Sequence, residues 1–150
     1  MTTLSNAESI EHIVETFEFL EDWEARYQYL IELGEQLPRM PDEMKTEQNW
    51  VKPCMSRVHV EAQRDQFDPQ LIQFTGDCDT AIIKGVLALL IDLLSNLTLG
   101  KIQDMDVDSL FKRLRLEEHL SPNRHVGIYA IVDKMVERAA AVASSNDTAK

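Results

Sequence analysis

Ser56-Arg57-Val58-His59-Val60-Glu61-Ala62-Gln63 is the stretch on which the fold reading turns. Val58, Val60 and Ala62 alternate with Arg57, His59 and Glu61, the period of a strand with one buried face. Around it, from Glu47 to Gly76, helical spacing is absent. Leu71 to Thr75 is a further strand candidate, and the polar run Arg64 to Pro69, ending in Asp68-Pro69, suits a hairpin connection. Upstream, Asn49 to Lys52 reads as a short strand that Pro53 ends, because proline has no N–H for the ladder. Three consecutive strands imply an antiparallel meander covered on one face by helices.

The flanks supply those helices. Ser5 and Glu8 have the spacing of a capping box, followed by Ile10, Ile13, Val14, Phe17 and Leu20 at helical intervals. Asp22 is placed to cap a second helix carrying Trp23, Tyr27, Leu30 and Ile31, with Gly34 as its stop and a Pro38/Pro41 loop beyond. Asp79 is placed to cap a central helix from Thr80 to about Leu97, apolar nearly all round and therefore buried. Lys84 and Asp92 interrupt that run, which makes it a core helix rather than a membrane span. Gly100 breaks the chain, Asp106 opens a short helix with Leu110 and Phe111, and Ser121-Pro122 starts the last. The expected organisation is one α+β domain over residues 1–143 and a flexible tail over 144–150.

Lysine and arginine number 15 against 26 acidic residues, a formal net charge of -11. Phosphate backbones and anionic membrane surfaces are poor partners for such a surface. Met1 to His12 lacks the basic and apolar regions of a secretory signal, so a cytoplasmic location and two free thiols are expected. Cys54 and Cys78 form no CxxC pair, no two histidines stand at i,i+4, and no metal or cofactor site is expected. Glycine-rich phosphate loops and a nucleophile elbow are also absent.

Cys54 follows Pro53 at a turn between two strand candidates. There it is either a reactive thiol within reach of a partner or a small buried hydrophobe. Lys52, Arg57 and His59 are close in sequence, and cationic neighbours favour thiolate. Cys78, in Gly76-Asp77-Cys78-Asp79, precedes the central helix and reads as a small residue in a tight strand-to-helix turn. The charges of the first helices, Asp22, Glu24 and Arg26 among them, read as a solvated face.

Several segments together resemble the SufE family, from about Phe17 to Ala139. They are Trp23-Glu24-Ala25-Arg26-Tyr27 with Leu30-Ile31-Glu32-Leu33-Gly34 and Leu37-Pro38, Asn49-Trp50-Val51-Lys52-Pro53-Cys54-Met55-Ser56-Arg57-Val58, Gly76-Asp77-Cys78-Asp79, Ile82-Ile83-Lys84-Gly85-Val86, and Leu120-Ser121-Pro122-Asn123-Arg124. The chain departs from the family pattern at Pro53, where glycine is usual. It departs again at Met55, Arg57 and His59, which replace glutamine, glutamine and tryptophan, at Cys78 in place of serine, and at Val126 in place of asparagine. The resemblance implies a SufE/IscU-like α+β fold with a three-stranded sheet. It implies that Cys54 carries sulfur as a persulfide, taken from a pyridoxal-phosphate-dependent, SufS-like cysteine desulfurase and passed to a SufBCD-like iron–sulfur cluster scaffold. Arg124, Ser56, Arg57 and His59 would support that thiol, and Asp77 and Asp79 would shape the turn or cap the central helix. A docking module of a desulfurase with an unreactive Cys54, or a scaffold-like protein, is the alternative, and either would be a monomer or homodimer. Proline at 53 implies one dominant loop state, and the cationic neighbours point to an exposed, thiolate-prone Cys54.

Overall fold

The computed structural model describes residues 6–54, 56–120 and 122–144, with side chains left out at 6–10, 117, 119 and 122–124. The expected Ser5–Glu8 capping box, the Ser121 cap and the tail beyond Ser144 lie outside the described residues. In chain order the elements are α1 (Asn6–Phe19), α2 (Trp23–Glu35), a 3-10 turn (Asp42–Met44), β1 (Val58–Arg64), β2 (Ile72–Cys78), α3 (Ala81–Leu94), α4 (Leu99–Asp104), α5 (Val107–Leu114), α6 (Leu116–His119) and α7 (Pro122–Ala143).

Two strands form the sheet among the described residues, antiparallel and in register from Val58↔Cys78 to Arg64↔Ile72. The expected third strand shrinks to one bridge, Trp50↔His59. Val51 N–H donates to Val58 O at 2.8 Å and Val60 N–H to Asn49 O at 2.9 Å, so the segment does lie along the free edge of β1. It is short because both ends curl away. Asn49 and Trp50 N–H are already used in a turn with Thr46 and Glu47, and after Val51 the chain folds into a second turn through Pro53.

The alternation of β1 holds. Val58, Val60 and Ala62 are buried, and opposite them lie Cys78, Gly76 and Phe74. α3 packs on β2 and α7 on β1, and α2 crosses α3. Nine residues of α3 are buried, as its all-round apolar surface requires. The α2–α3 crossing explains Gly34, which does not stop its helix. A Cβ at Gly34 would stand 2.9 Å from Gly85 N, and one at Gly85 only 2.0 Å from Leu30 O, so two bare backbones touch. Gly100 is likewise not a break. It sits inside α4, which Thr98 caps by accepting from Lys101 N–H.

Two arginines tie helix ends. Arg26 is buried rather than solvated. Its Nε–H donates to Phe17 O at 2.8 Å and Leu20 O at 2.6 Å, carbonyls at the end of α1, and its guanidinium lies 5.0 Å from the Trp23 ring. Arg64, ending β1, donates to Val142 O and Ala143 O at 2.9 Å each and so closes the C-terminus of α7. Asp22 and Asp106 cap α2 and α5 as their positions suggested, accepting from Ala25 N–H and Ser109 N–H.

Candidate functional site

Cys54 closes the turn Val51–Cys54, its N–H donating to Val51 O at 3.3 Å. Pro53 takes a position in the middle of that turn, where no backbone donor is needed. The turn points inward, not outward. Cys54 is 8 % exposed, and its Sγ lies against the backbone of Gly127 in α7, so close that a Cβ on Gly127 would be 2.8 Å away. The exposed thiol expected from the sequence is therefore corrected to a closed one. Gly127 supplies the space that makes closure possible.

Burial pushes the Cys54 thiol above its ordinary value, and the nearby Asp79 carboxylate adds to the rise. Hydrogen bonds from the Ser56 backbone and side chain hold it back in part. The three expected cationic helpers lie elsewhere. Lys52 Nζ is 2.9 Å from Glu47 and 5.7 Å from the Trp50 ring. Arg57 is exposed and His59 buried, and both line a cavity of about 390 Å³ with Lys45 and Trp50. His59 is pushed down by burial first and then by the charges of Lys45 and Arg57, so it is a neutral imidazole at neutral pH.

Ser56 is the expected helper that the structure does bring to the thiol. Its Oγ also lies 2.6 Å from Thr80 Oγ1. Thr80 in turn donates its N–H to Cys78 Sγ at 3.4 Å. Cys78 is buried and its thiol is pushed up to about 11, by burial first and further by the charges of Cys54, Asp79 and Asp77.

Neither aspartate caps α3; the N-cap residue is Thr80, which makes no side-chain cap bond. Asp79 instead extends the β1–β2 pairing, its Oδ1 accepting from Arg57 N–H at 2.9 Å. Asp77 lies 3.2 Å from both Lys45 and Lys84. Burial raises its carboxyl, but hydrogen bonds from those two lysines more than offset this and leave it below the usual range. Arg124 is in the first turns of α7, with its side chain outside the described residues. Met55 is outside them altogether.

Sequence reading missed three residues that build this corner. Gly127 carries the strongest signal, a glycine isolated in a helical pattern, which costs about 1 kcal/mol against alanine unless something needs the space. Thr80 joins the two cysteines. Asn49, 1 % exposed, anchors the segment before the turn, donating to Met44 O at 2.7 Å and Glu61 Oε1 at 3.2 Å. Among the described residues, no group of three His, Cys, Asp or Glu side chains could hold a metal ion. None of the described helices is long and apolar enough to cross a membrane.

The architecture is that of a small α+β domain with two thiols gathered at one end of a two-stranded sheet. The chain belongs to the SufE family, whose model, described as an Fe-S metabolism associated domain, matches residues 11–139. That family is associated with iron–sulfur metabolism. An uncharacterized SufE-like protein of Rhizobium meliloti is 35% identical over 133 residues, 87% of this chain and 94% of that one. One of Rhizobium etli is 35% identical over 133 residues, 87% and 89% of the two chains. A hypothetical protein of Thermus thermophilus, solved in solution, is similar in fold with a TM-score of 0.73 at 19% identity, covering 91% of this chain and 97% of that chain.

Proposed function

We propose that this protein is a sulfur acceptor, a single cytoplasmic domain over residues 1–143 that takes sulfur from a cysteine desulfurase onto Cys54 and relays it to iron–sulfur cluster assembly. The observation that carries this reading is the Cys54 turn, a thiol held inside by a backbone hydrogen bond to Val51 O, by Ser56 and by contact with Gly127. The Cys54 thiolate attacks the outer sulfur of the desulfurase persulfide. A bond forms between Cys54 Sγ and that sulfur, and the desulfurase thiolate leaves. The exchange needs a thiolate and an open line of approach, and no cofactor from this chain.

Closure and reactivity are linked here. While the turn is tucked in, burial keeps the thiol protonated; lifting it into water removes that cause and increases the thiolate fraction. Docking to the desulfurase supplies the opening, and Arg124 supports that docking. If Arg124→Ala stimulates a desulfurase as well as wild type at low and moderate salt, Arg124 has no such role. The buried, protonated state of Cys54 also favours a second reading, a docking module whose thiol is never loaded.

Mass analysis after incubation with a desulfurase and cysteine separates the two. A gain of about 32 Da, one sulfur atom, is expected on the tryptic fragment 46–57 and absent from Cys54→Ser. Desulfurase stimulation with no gain on that fragment would leave the docking module as the reading.

A further inference from the structure

A second thiol lies next to the first, and nothing in the transfer step above uses it. The Cys54 thiol is hydrogen-bonded to Ser56, and Ser56 Oγ is 2.6 Å from Thr80 Oγ1. Thr80 holds Cys78 from both backbone groups, with its N–H 3.4 Å and its O 3.6 Å from Sγ. The Val58↔Cys78 register and the bond from Arg57 N–H to Asp79 fix the two segments side by side. Both cysteines are shielded, at 8 % and 6 % exposure, and Ser56 and Thr80 link their two segments.

From this cluster we propose that Cys78 is a second sulfur station, which takes the outer sulfur of a Cys54 persulfide inside the closed protein. The proposal rests on Cys54 being the acceptor. A persulfide places its outer sulfur about 2 Å beyond Sγ. The Gly127 backbone fills the α7 side of Sγ, so the added atom extends on the side of the Ser56 and Thr80 hydroxyls. Cys78 Sγ attacks that outer sulfur. The new bond joins Cys78 Sγ to it, and the bond from Cys54 Sγ to it breaks. Cys54 Sγ leaves with the electron pair and takes up the proton that Cys78 gives up. One thiol and one persulfide enter and one of each leave, so no oxidant or reductant is consumed.

The direction follows from the two environments. A thiol of higher pKa is the better nucleophile once ionised and the poorer leaving group, so sulfur that reaches Cys78 stays there longer. Burial, with the charges of Asp79 and Asp77, pushes the Cys78 thiol up to about 11 against one restraining hydrogen bond from Thr80, whereas Cys54 has one nearby aspartate and two bonds from Ser56. Transfer empties Cys54 for another load and keeps the sulfur away from thiol reductants in solution.

Trypsin separates the two thiols, because Cys54 falls in residues 46–57 and Cys78 in residues 65–84. The full chain, Cys54→Ser and Cys78→Ser are loaded with a desulfurase and cysteine, and in parallel with inorganic polysulfide. Each is quenched in acid over a time course, alkylated and digested, after a melting curve confirms folding. In the wild type, a gain of about 32 Da appears first on 46–57 and then on 65–84. In Cys54→Ser the gain on 65–84 is lost with desulfurase. In Cys78→Ser it stays on 46–57 and is removed by dithiothreitol on the order of tenfold faster than the wild-type adduct. Sulfur confined to 46–57 in the wild type at every time overturns the second station and leaves the acceptor reading standing. Desulfurase loading of Cys78 in Cys54→Ser overturns the order of transfer. Sulfur on neither fragment overturns the acceptor reading, and the second station with it.

Discussion

Gly127→Ala tests whether one missing methyl group keeps Cys54 closed. The added Cβ would lie 2.8 Å from Cys54 Sγ, 3.4 Å from its Cβ and 3.5 Å from its Cα. Non-bonded carbons settle about 3.5–4.0 Å apart and sulfur is larger, so the sulfur contact is short by about 1 Å. Either the turn or the helix must give way. Among the described residues the turn is held by a 3.3 Å hydrogen bond from Cys54 N–H and by the Ser56 bonds to the thiol, whereas α7 is 22 residues long and lies against β1. The turn is the weaker element. Burying so small a side chain contributes about 1–2 kcal/mol, at roughly 0.8 kcal/mol per CH₂-sized group. Losing it changes the closed-to-open ratio by a factor of about 5–30. Alkylation of Cys54 at neutral pH, read on fragment 46–57, is expected to accelerate by that factor. Its pH midpoint should also fall, because the burial that raised the thiol is gone. Global stability should stay within about 1 kcal/mol, since alanine in a helix recovers about 1 kcal/mol over glycine. Unchanged alkylation with a clearly lower urea midpoint would mean that α7 moves and the turn stays shut, and the reasoning would be refuted.

Cys78 predicts an alkaline weakness. Its folded pKa is raised from 9.0 to about 11, so the native state binds more protons than the unfolded chain between those values. Stability is thus fully present below pH 9 and falls as pH rises toward 11, by roughly 2–3 kcal/mol at about 1.4 kcal/mol per unit. Urea midpoints measured across this range should decline less in Cys78→Ser; parallel declines would contradict the burial argument. Arg26→Ala removes the Nε–H that Phe17 O and Leu20 O share and should cost about 2–4 kcal/mol in chemical denaturation. Arg26→Lys should recover less than half of that, because an ammonium cannot lie flat against the Trp23 ring while donating to both carbonyls.

What the sequence made legible is what local physics decides. The alternation at Val58, Val60 and Ala62 located β1, and the all-round apolar run located α3. Asp22, Asp106 and Pro122 marked helix starts because caps and N1 prolines act within a few residues. The errors fall where a partner distant in sequence decides. Gly34 looked like a stop because its crossing partner Gly85 is far along the chain. Arg26 looked solvated because the carbonyls it satisfies belong to the preceding helix. The anchoring role of Asn49 gave no signal, since its contacts with Met44 and Glu61 exist only once the chain has folded back.

The same distinction governs the site. Sequence proximity suggested that Lys52, Arg57 and His59 would make Cys54 a thiolate, but a turn and a pleat carry neighbours in sequence to different sides. Lys52 pairs with Glu47, and His59 points with Asp77 to the face opposite Val58 and Cys78. The residues that do set the thiol's state are Ser56, Asp79 and Gly127, and the last two come from elements 25 and 73 positions away. Closure therefore depends on tertiary packing, and it keeps the thiol protonated only while α7 remains in place. A partner that lifts the turn off Gly127 uncovers the thiol and favours its ionisation in one movement, so exposure and reactivity cannot be separated at this cysteine.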